Sequence, residues 1–442
     1  MPTAMDIYKL LPKKNCGECK FPTCLAFAMQ LANQKVALEA CPYVTPEAKA
    51  ILEESGAPPI RLVTIGVGEL AVKTGDETQL FRHDKTFYHP TVFGFIVDDS
   101  GGLEPMKTKI ARAVALCFER VGQTVRVDSI AIRHSSGRAE DFIEAVKLAA
   151  AQQLPLVLMT DDANLMAQAL PLCCTKRPLI YRATPQNLDA MVGLAKTHGC
   201  PLVVGGASSL DELSQLADRA KKAGVSDLVL EPQAANAGQM LENMTAIRRA
   251  AVKKKFRPLG FPTMVVLGDS ERDIMRAALG VMKYASIVLI EDAPIESLFP
   301  LIAVRQNIFT DPQVPIQVKA GLFSVGEPNN RSPVLVTTNF SLTYFTVRAD
   351  VEKSKLPVWL LVVDTEGQSV MTSFAAGKLT PESVAKAVET EKIKEKNARN
   401  ELVIPGMVSR MSGKLNELTG MKIVVGPRES AGLPKMLKSI SV

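Results

Sequence analysis

Between residues 92 and 290, short apolar runs with no polar alternation are separated by longer stretches in which apolar positions recur every three or four residues. The runs fall at 92–97, 129–133, 156–159, 179–181, 202–204, 228–230, 263–266 and 287–290. Continuous apolarity marks strands buried on both faces. The intervening stretches, such as 106–120, 139–152, 187–198, 210–223 and 239–254, carry the spacing of amphipathic helices. Eight strand–helix units in series predict a closed parallel barrel, the (β/α)8 or TIM fold. A hairpin over 61–67, 69–72 and 79–82 is expected ahead of it.

The pattern changes on either side. Leu25-Ala26-Phe27-Ala28-Met29 is an apolar run that reads as a helix. A second helix starts at Thr45-Pro46-Glu47, with Thr45 as N-cap and Pro46 at the first helical position, and Gly56 stops it. Ala57-Pro58-Pro59 reads as a linker. Residues 293–333 are marked by Asp311-Pro312, Val314-Pro315 and Glu327-Pro328, which predicts an irregular interdomain crossing. Apolar runs follow at 334–337, 359–363, 402–404 and 422–425, each ending in a small or polar loop, with a charged helix over 381–399. That is the pattern of a doubly wound, Rossmann-like sheet, which binds ligands at the carboxyl ends of its strands. The expected class is α/β, with a four-cysteine module over 1–57, a TIM barrel over 58–310, a linker over 311–332 and a doubly wound domain over 333–442.

A chain of 442 residues, 47% hydrophobic and 22% charged, has the length and composition for these cores. The net charge of +6 is dispersed, and Lys13-Lys14 and Lys253-Lys254-Lys255 read as solvated faces. Aromatics at 5% leave few stacking platforms, so nucleic acid is not an expected partner. The first residues lack the basic-then-apolar pattern of a secretory signal, and no apolar run reaches the ~18 residues that span a bilayer. A cytoplasmic protein with no membrane partner is expected.

The cysteines change the picture most. Cys16, Cys19, Cys24 and Cys41 stand in the spacing C-x2-C-x4-C-x16-C, with Pro42 after the last. Three thiols close together and a fourth from a distance suit a cubane iron–sulfur cluster, which needs four thiolates converging on one small volume. Gly17 lets the loop turn between the first two, and Pro22 stiffens the next turn. Two other uses of four thiols stay open. Structural zinc usually takes two C-x2-4-C pairs, and the second pair is missing. Disulfides need an oxidising compartment, which nothing else in the chain suggests. Cys117, Cys173, Cys174 and Cys200 lie in apolar or helical surroundings and read as buried thiols. Past the barrel strands stand Asp98, Asp99, His134, Ser135, Ser136, Asp161, Asp162, Arg182, Glu231, Asp269, Glu291 and Asp292. Barrel enzymes place their chemistry on that rim, but Asp and Ser before a helix are also ordinary N-caps, and capping is the expectation for each residue singly.

The stretch Leu10-Leu11-Pro12-Lys13-Lys14-Asn15-Cys16-Gly17-Glu18-Cys19, with Pro22-Thr23-Cys24-Leu25-Ala26-Phe27-Ala28 and Cys41-Pro42, resembles the large subunit of the corrinoid/iron–sulfur protein of the acetyl-CoA decarbonylase/synthase system. Asn307-Ile308-Phe309-Thr310-Asp311-Pro312, Ala375-Ala376-Gly377-Lys378, Ile404-Pro405-Gly406 and Val425-Gly426-Pro427-Arg428-Glu429 extend the resemblance over essentially the whole chain. It implies a methyl carrier and not a free-standing catalyst. In such proteins a partner methyltransferase moves the methyl group of methyl-tetrahydrofolate onto Co(I) of a corrinoid, and the carrier presents it to acetyl-CoA synthase. A 4Fe-4S cluster, fed by a low-potential donor such as ferredoxin, returns oxidised Co(II) to Co(I). A smaller barrel subunit completes a heterodimer, with the corrinoid between the two chains.

That resemblance gives the missing histidines a meaning. His83, His89, His134 and His198 are the only four, so the last domain has no D-x-H-x-x-G ligand for cobalt. The corrinoid is expected base-off with no protein nitrogen on the metal, and losing that axial donor makes Co(II) easier to reduce. Thr372, Ser373, Phe374, Ala375 and Ala376 form a small, polar stretch for a flat macrocycle, flanked by Ser369, Val370, Met371 and Gly377. Asn339, Thr343 and Thr346 are candidates for corrin amides, Gly406, Met407, Gly426 and Pro427 for the displaced base, and Arg428 for a phosphate. The alternatives are turn residues of a nucleotide-type fold, a pterin methyltransferase barrel with an accessory cluster, or a plain iron–sulfur electron carrier.

Overall fold

In a computed structural model, which describes residues 3–33, 35–120, 123–291, 294–311 and 313–440, the eight apolar runs close into a parallel barrel. Ahead of it lie β1 (Val63–Ile65) and β2 (Val72–Thr74). The barrel strands are β3 (Val92–Asp98), β6 (Ser129–Arg133), β7 (Leu156–Met159), β8 (Leu179–Ala183), β9 (Leu202–Val204), β10 (Leu228–Leu230), β11 (Thr263–Leu267) and β12 (Ala285–Glu291). They follow one another in chain order around the ring, and β12 closes on β3 with Ile287 beside Val92. Between β3 and β6 the helix Leu103–Ala115 ends earlier than expected, and an unanticipated antiparallel hairpin follows, β4 (Cys117–Arg120) with β5 (Gln123–Arg126).

The barrel interior is filled by Ile96, Ala131, Val157, Leu179, Val203, Val229, Met264 and Ile287, joined by Val63 and Ile65 of the β1–β2 hairpin. That hairpin closes the end where the strands begin. Arg61 N–H donates to Gly260 O at 3.0 Å, and Gly66 N–H donates to Arg177 O at 3.0 Å, both just before a barrel strand. The expected third leg at 79–82 is not a strand. Arg82 instead donates to the carbonyls of Asn307 and Ile308 at 2.5 and 3.0 Å, satisfying the end of the helix Ile295–Ile308.

Grouped by contacts, the chain forms two units. One comprises Met1–Leu80, Thr91–Lys107 and Asp128–Ala293, and the other Phe81–Pro90, Thr108–Val127 and Pro294–Val442. The second unit is built on a five-stranded sheet of β13 (Gly321–Val325), β14 (Val334–Thr338), β15 (Val358–Val363), β16 (Glu401–Ile404) and β17 (Lys422–Val425). The order is β13-β15-β14-β16-β17, all parallel except the edge strand β13. Side chains alternate across it, as strand geometry requires. Leu335, Leu360, Val362 and Val403 pack under the helices Ser341–Ser354 and Leu433–Ile440. Val336, Leu361, Val363, Leu402 and Ile404 pack with Val384, Val388 and Leu415 on the opposite face. Each fully buried Val or Leu of these two layers contributes roughly 1.5–3 kcal/mol of apolar burial.

Three expectations need correction here. The crossing at 293–333 holds the helix Ile295–Ile308, and the presumed linker 311–332 supplies β13, which borders β15. Frequent prolines hid a helix that carries Pro300 inside it. The stretch at 370–378 contains a short helix, Val370–Ala375. The charged helix over 381–399 is two helices, Pro381–Thr390 and Ile393–Lys396, parted by Lys392 at φ 53°. Positions 292, 293 and 312 lie outside the described residues.

Candidate functional site

The four-cysteine loop is shaped by backbone. Lys13, Asn15, Gly17 and Lys20 all take positive φ, so the chain reverses repeatedly within a few residues. Asn15 Oδ1 accepts the Cys24 N–H at 2.8 Å, tying the loop's start to its end. Thr23 Oγ1 accepts Ala26 N–H at 3.1 Å and caps the helix Cys24–Ala32. Cys24 is therefore the first residue of that helix, whose end favours a thiolate. Cys41 follows the turn Leu38–Ala40 and donates its N–H to Leu38 O at 3.1 Å. Cys24 and Cys41 are buried with Ile7, Leu11, Phe27 and Leu38, Cys19 is half-buried, and Cys16 faces solvent. Burial pushes the Cys41 thiol up, and negative charge on Cys19, Cys24 and Cys16 pushes it further. The four sulfurs thus form one electrostatic group, which a cationic centre would stabilise. Among the described residues no three His, Cys, Asp or Glu side chains converge to the spacing of a single ion. A donor set of four thiols with no histidine fits an iron–sulfur cluster.

A cavity of about 410 Å³ opens at the carboxyl ends of the parallel strands of the second unit. It lies between β14 and β16, where successive strands depart to opposite sides of the sheet, the usual place for a ligand in this architecture. Of the residues singled out by sequence, Thr343, Thr346, Ser369, Val370, Met371, Met407, Gly426, Pro427 and Arg428 line it. Leu342, Met371 and Met407 are large apolar side chains about half exposed at its wall, one after each of three strands. Such exposed apolar surface marks a ligand or partner face. Arg428 is exposed and makes no ion pair among the described residues.

Other residues do different work. Asn339 is buried and its amide is spent: Nδ2 donates to Gln317 Oε1 and Asp364 Oδ1, both at 3.0 Å, and Oδ1 accepts from Thr365 and Gly367 N–H at 2.9 and 3.0 Å. It holds the loop after β15 and has no donor left for a corrin amide. Gly406 is a contact between loops, not part of the wall. Its N–H donates to Pro427 O at 3.1 Å, and a Cβ there would meet Gly426 O at 2.5 Å. Ser373 is fully buried and donates to Ser369 O at 2.7 Å, and Phe374 packs on the core. Thr372, Ala375, Ala376 and Gly377 are exposed and outside the cavity wall. Sequence reading missed Thr337, Val347, Ser430 and Leu433, which line the cavity. Val347 was accessible to helical periodicity, since it lies one turn from Thr343 on the same face.

The barrel rim is not a row of caps. Arg133 donates to Asp98 Oδ1 and to Glu291 Oε1, each at 2.6 Å. Arg182 donates to Glu231 Oε2 at 2.6 Å, and Tyr181 Oη donates to Glu231 Oε1 at 2.7 Å. Burial pushes the Glu231 carboxyl up, against the opposing pull of Arg182. Asp99 lies 2.6 Å from His134 Nδ1 and accepts the Ser135 and Ser136 N–H groups at 2.7 Å. Burial alone would raise its carboxyl, but those hydrogen bonds hold it below the ordinary value. Asp162 does cap, accepting Asn164 N–H at 2.8 Å.

The chain is similar to known proteins along nearly its whole length. A family described as "CO dehydrogenase/acetyl-CoA synthase delta subunit" matches residues 62–437, and one described as "Putative Fe-S cluster" matches residues 11–43. The corrinoid/iron-sulfur protein large subunit of Moorella thermoacetica is 45% identical, covering 98% of this chain and 97% of that one. The acetyl-CoA decarbonylase/synthase complex subunit gamma of Methanothermobacter thermautotrophicus is 35% identical over 99% of both chains, and that of Archaeoglobus fulgidus is 35% identical over 98% and 97%. A four-thiol module, an eight-stranded barrel and a strand-end cavity thus occur in a chain that belongs to the family of corrinoid/iron–sulfur protein large subunits, the gamma subunits of the acetyl-CoA decarbonylase/synthase system.

Proposed function

We propose that this chain is the methyl carrier of its system, acting in the cytoplasm as a heterodimer with a small corrinoid/iron–sulfur subunit. When bound, a corrinoid supplies cobalt chemistry: it accepts a methyl group from methyl-tetrahydrofolate through a partner methyltransferase and yields it to acetyl-CoA synthase. A 4Fe-4S cluster, reduced by a low-potential donor such as ferredoxin, supplies the electron that restores oxidised cobalt. Cys16, Cys19, Cys24 and Cys41 would hold that cluster, with Cys24 and Cys41 buried among apolar side chains. The module over 1–57, the barrel and the domain over 333–442 divide these tasks.

The observation that carries the reading is the apolar cavity at the strand ends, with its exposed rim of Leu342, Met371 and Met407. A planar macrocycle buries large apolar faces and presents amides at its edge. The rim offers apolar area, Thr343 lies at the wall for an amide, and Arg428 is free to meet a phosphate. No histidine follows residue 198, so the domain over 333–442 offers the cobalt no imidazole. Met407, Gly426 and Pro427 would line the place for the displaced lower base of a corrinoid.

The deciding measurement is the cobalt and iron content of the anaerobically purified chain with its visible spectrum. About one cobalt and about four iron per chain are expected. Iron without cobalt would leave only an electron carrier. Cys24→Ser should remove most of the iron and leave cobalt in place, and loss of both together would make the cluster a structural support of the corrinoid site.

A further inference from the structure

The cavity wall contains one buried hydroxyl that finds no partner among the described residues. Thr337 stands near the end of β14 and is 1% exposed, and its hydroxyl makes no hydrogen bond among the described residues. Of the other hydroxyls along the wall, Thr346 donates to Leu342 O at 2.7 Å, Ser430 donates to Asp350 Oδ2 at 2.6 Å and Ser369 pairs with Thr372 at 3.0 Å, while Thr343 has no partner among the described residues but is half-buried and can meet water. Strand alternation puts Thr337 on the same sheet face as Leu335, the face covered by the helix Ser341–Ser354. That helix supplies Leu342, Thr343, Thr346 and Val347 to the cavity. A buried hydroxyl with no partner destabilises the empty protein by the desolvation of an oxygen and a proton. Valine, of the same shape, would avoid that cost.

A base held off cobalt has the complementary defect. The ring nitrogen that would otherwise bind the metal is a bare acceptor when it enters an apolar cavity, and it needs a donor. We propose that the Thr337 hydroxyl donates a hydrogen bond to that ring nitrogen, making Thr337 the positioning residue that selects corrinoids carrying a heteroaromatic lower base. This rests on the corrinoid reading above. The two unsatisfied groups cancel only in the complex, so the hydroxyl costs stability in the empty chain and returns it as selectivity in the loaded one.

The test uses the full chain stripped of corrinoid and titrated, with the visible spectrum as readout. The ligands are a benzimidazole-tailed corrinoid and cobinamide, which has no tail. Thr337→Val should weaken the tailed corrinoid about tenfold and leave cobinamide unchanged. It should leave the unfolding midpoint of the empty chain equal or higher. Thr337→Ser keeps the donor and should retain near wild-type binding. Thr338 is also fully buried with an unpartnered hydroxyl, but it is not a cavity residue, so Thr338→Val should change neither affinity. Equal binding of the tailed corrinoid by wild type and Thr337→Val would overturn the inference, as would equal weakening of both ligands. If the wild type binds neither ligand, it is the corrinoid reading itself that fails.

Discussion

Two places in this chain sit at the carboxyl ends of parallel strands: the barrel rim and the edge of the five-stranded sheet. Their cavities are nearly equal, about 430 Å³ beside Glu231 and about 410 Å³ above β14 and β16. Their contents differ. At the rim, Arg133 is held by Asp98 and Glu291, Arg182 by Glu231 and Asp161, and Asp99 by His134 and two amides. Arg182 Nε lacks a hydrogen bond, yet the guanidinium is anchored through its other nitrogens. At the sheet edge, the wall is mostly apolar, with Thr337 unpartnered and Arg428 outside any ion pair among the described residues. Strand-end topology nominates both places. Among the described residues the rim's unmade bonds are single nitrogens of anchored guanidiniums, Arg182 Nε and Arg276 Nε, whereas the sheet edge leaves a whole buried hydroxyl without a partner, and a binding site needs unmade interactions.

Substitutions at the two places should have different consequences. The largest effect is expected from Gly406→Val, because its Cβ would lie 2.5 Å from the Gly426 carbonyl and force the two loops apart. Cobalt per chain should fall about tenfold or more while iron is retained, as judged by metal analysis. Unchanged cobalt would remove the cavity as the site. Next comes Arg182→Met at the rim. Leaving Glu231 buried without its cation should cost roughly 3 kcal/mol in denaturant unfolding, with cobalt content unchanged. A parallel loss of cobalt would mean that the rim is not inert.

The smallest effect is a pH dependence. The Asp99 carboxyl lies below its ordinary value of 3.8, so it contributes stability that is fully present above that value and is lost as pH falls through the lower folded one. Asp99→Asn should flatten the acid limb of the stability curve, read as denaturation midpoints at successive pH values below about 5. An unchanged acid limb would show that the Asp99 hydrogen bonds contribute nothing.

Much of this was legible in the chain. The eight barrel strands were found because each is apolar on both faces, and β14 to β17 because each ends in a small or polar loop. The hairpin β4–β5 and the edge strand β13 were not, being short and set among prolines or charges. At the cavity, Met371, Met407, Gly426, Pro427 and Arg428 were found by position. Asn339 and Gly406 serve loop contacts instead of the cavity wall, because a polar residue or a glycine at a strand end suits a ligand and a loop contact equally.

The sequence by itself determined the elements, the four grouped thiols and the absence of histidine from the last domain, because periodicity, spacing and composition are local properties. The tertiary structure alone decided which polar groups are already satisfied. Arg133 and Glu291 are 158 residues apart and neutralise each other, while Thr337 finds no partner among the described residues. Whether a buried polar group is free for a ligand depends on which distant residues reach it, and only folding brings those together.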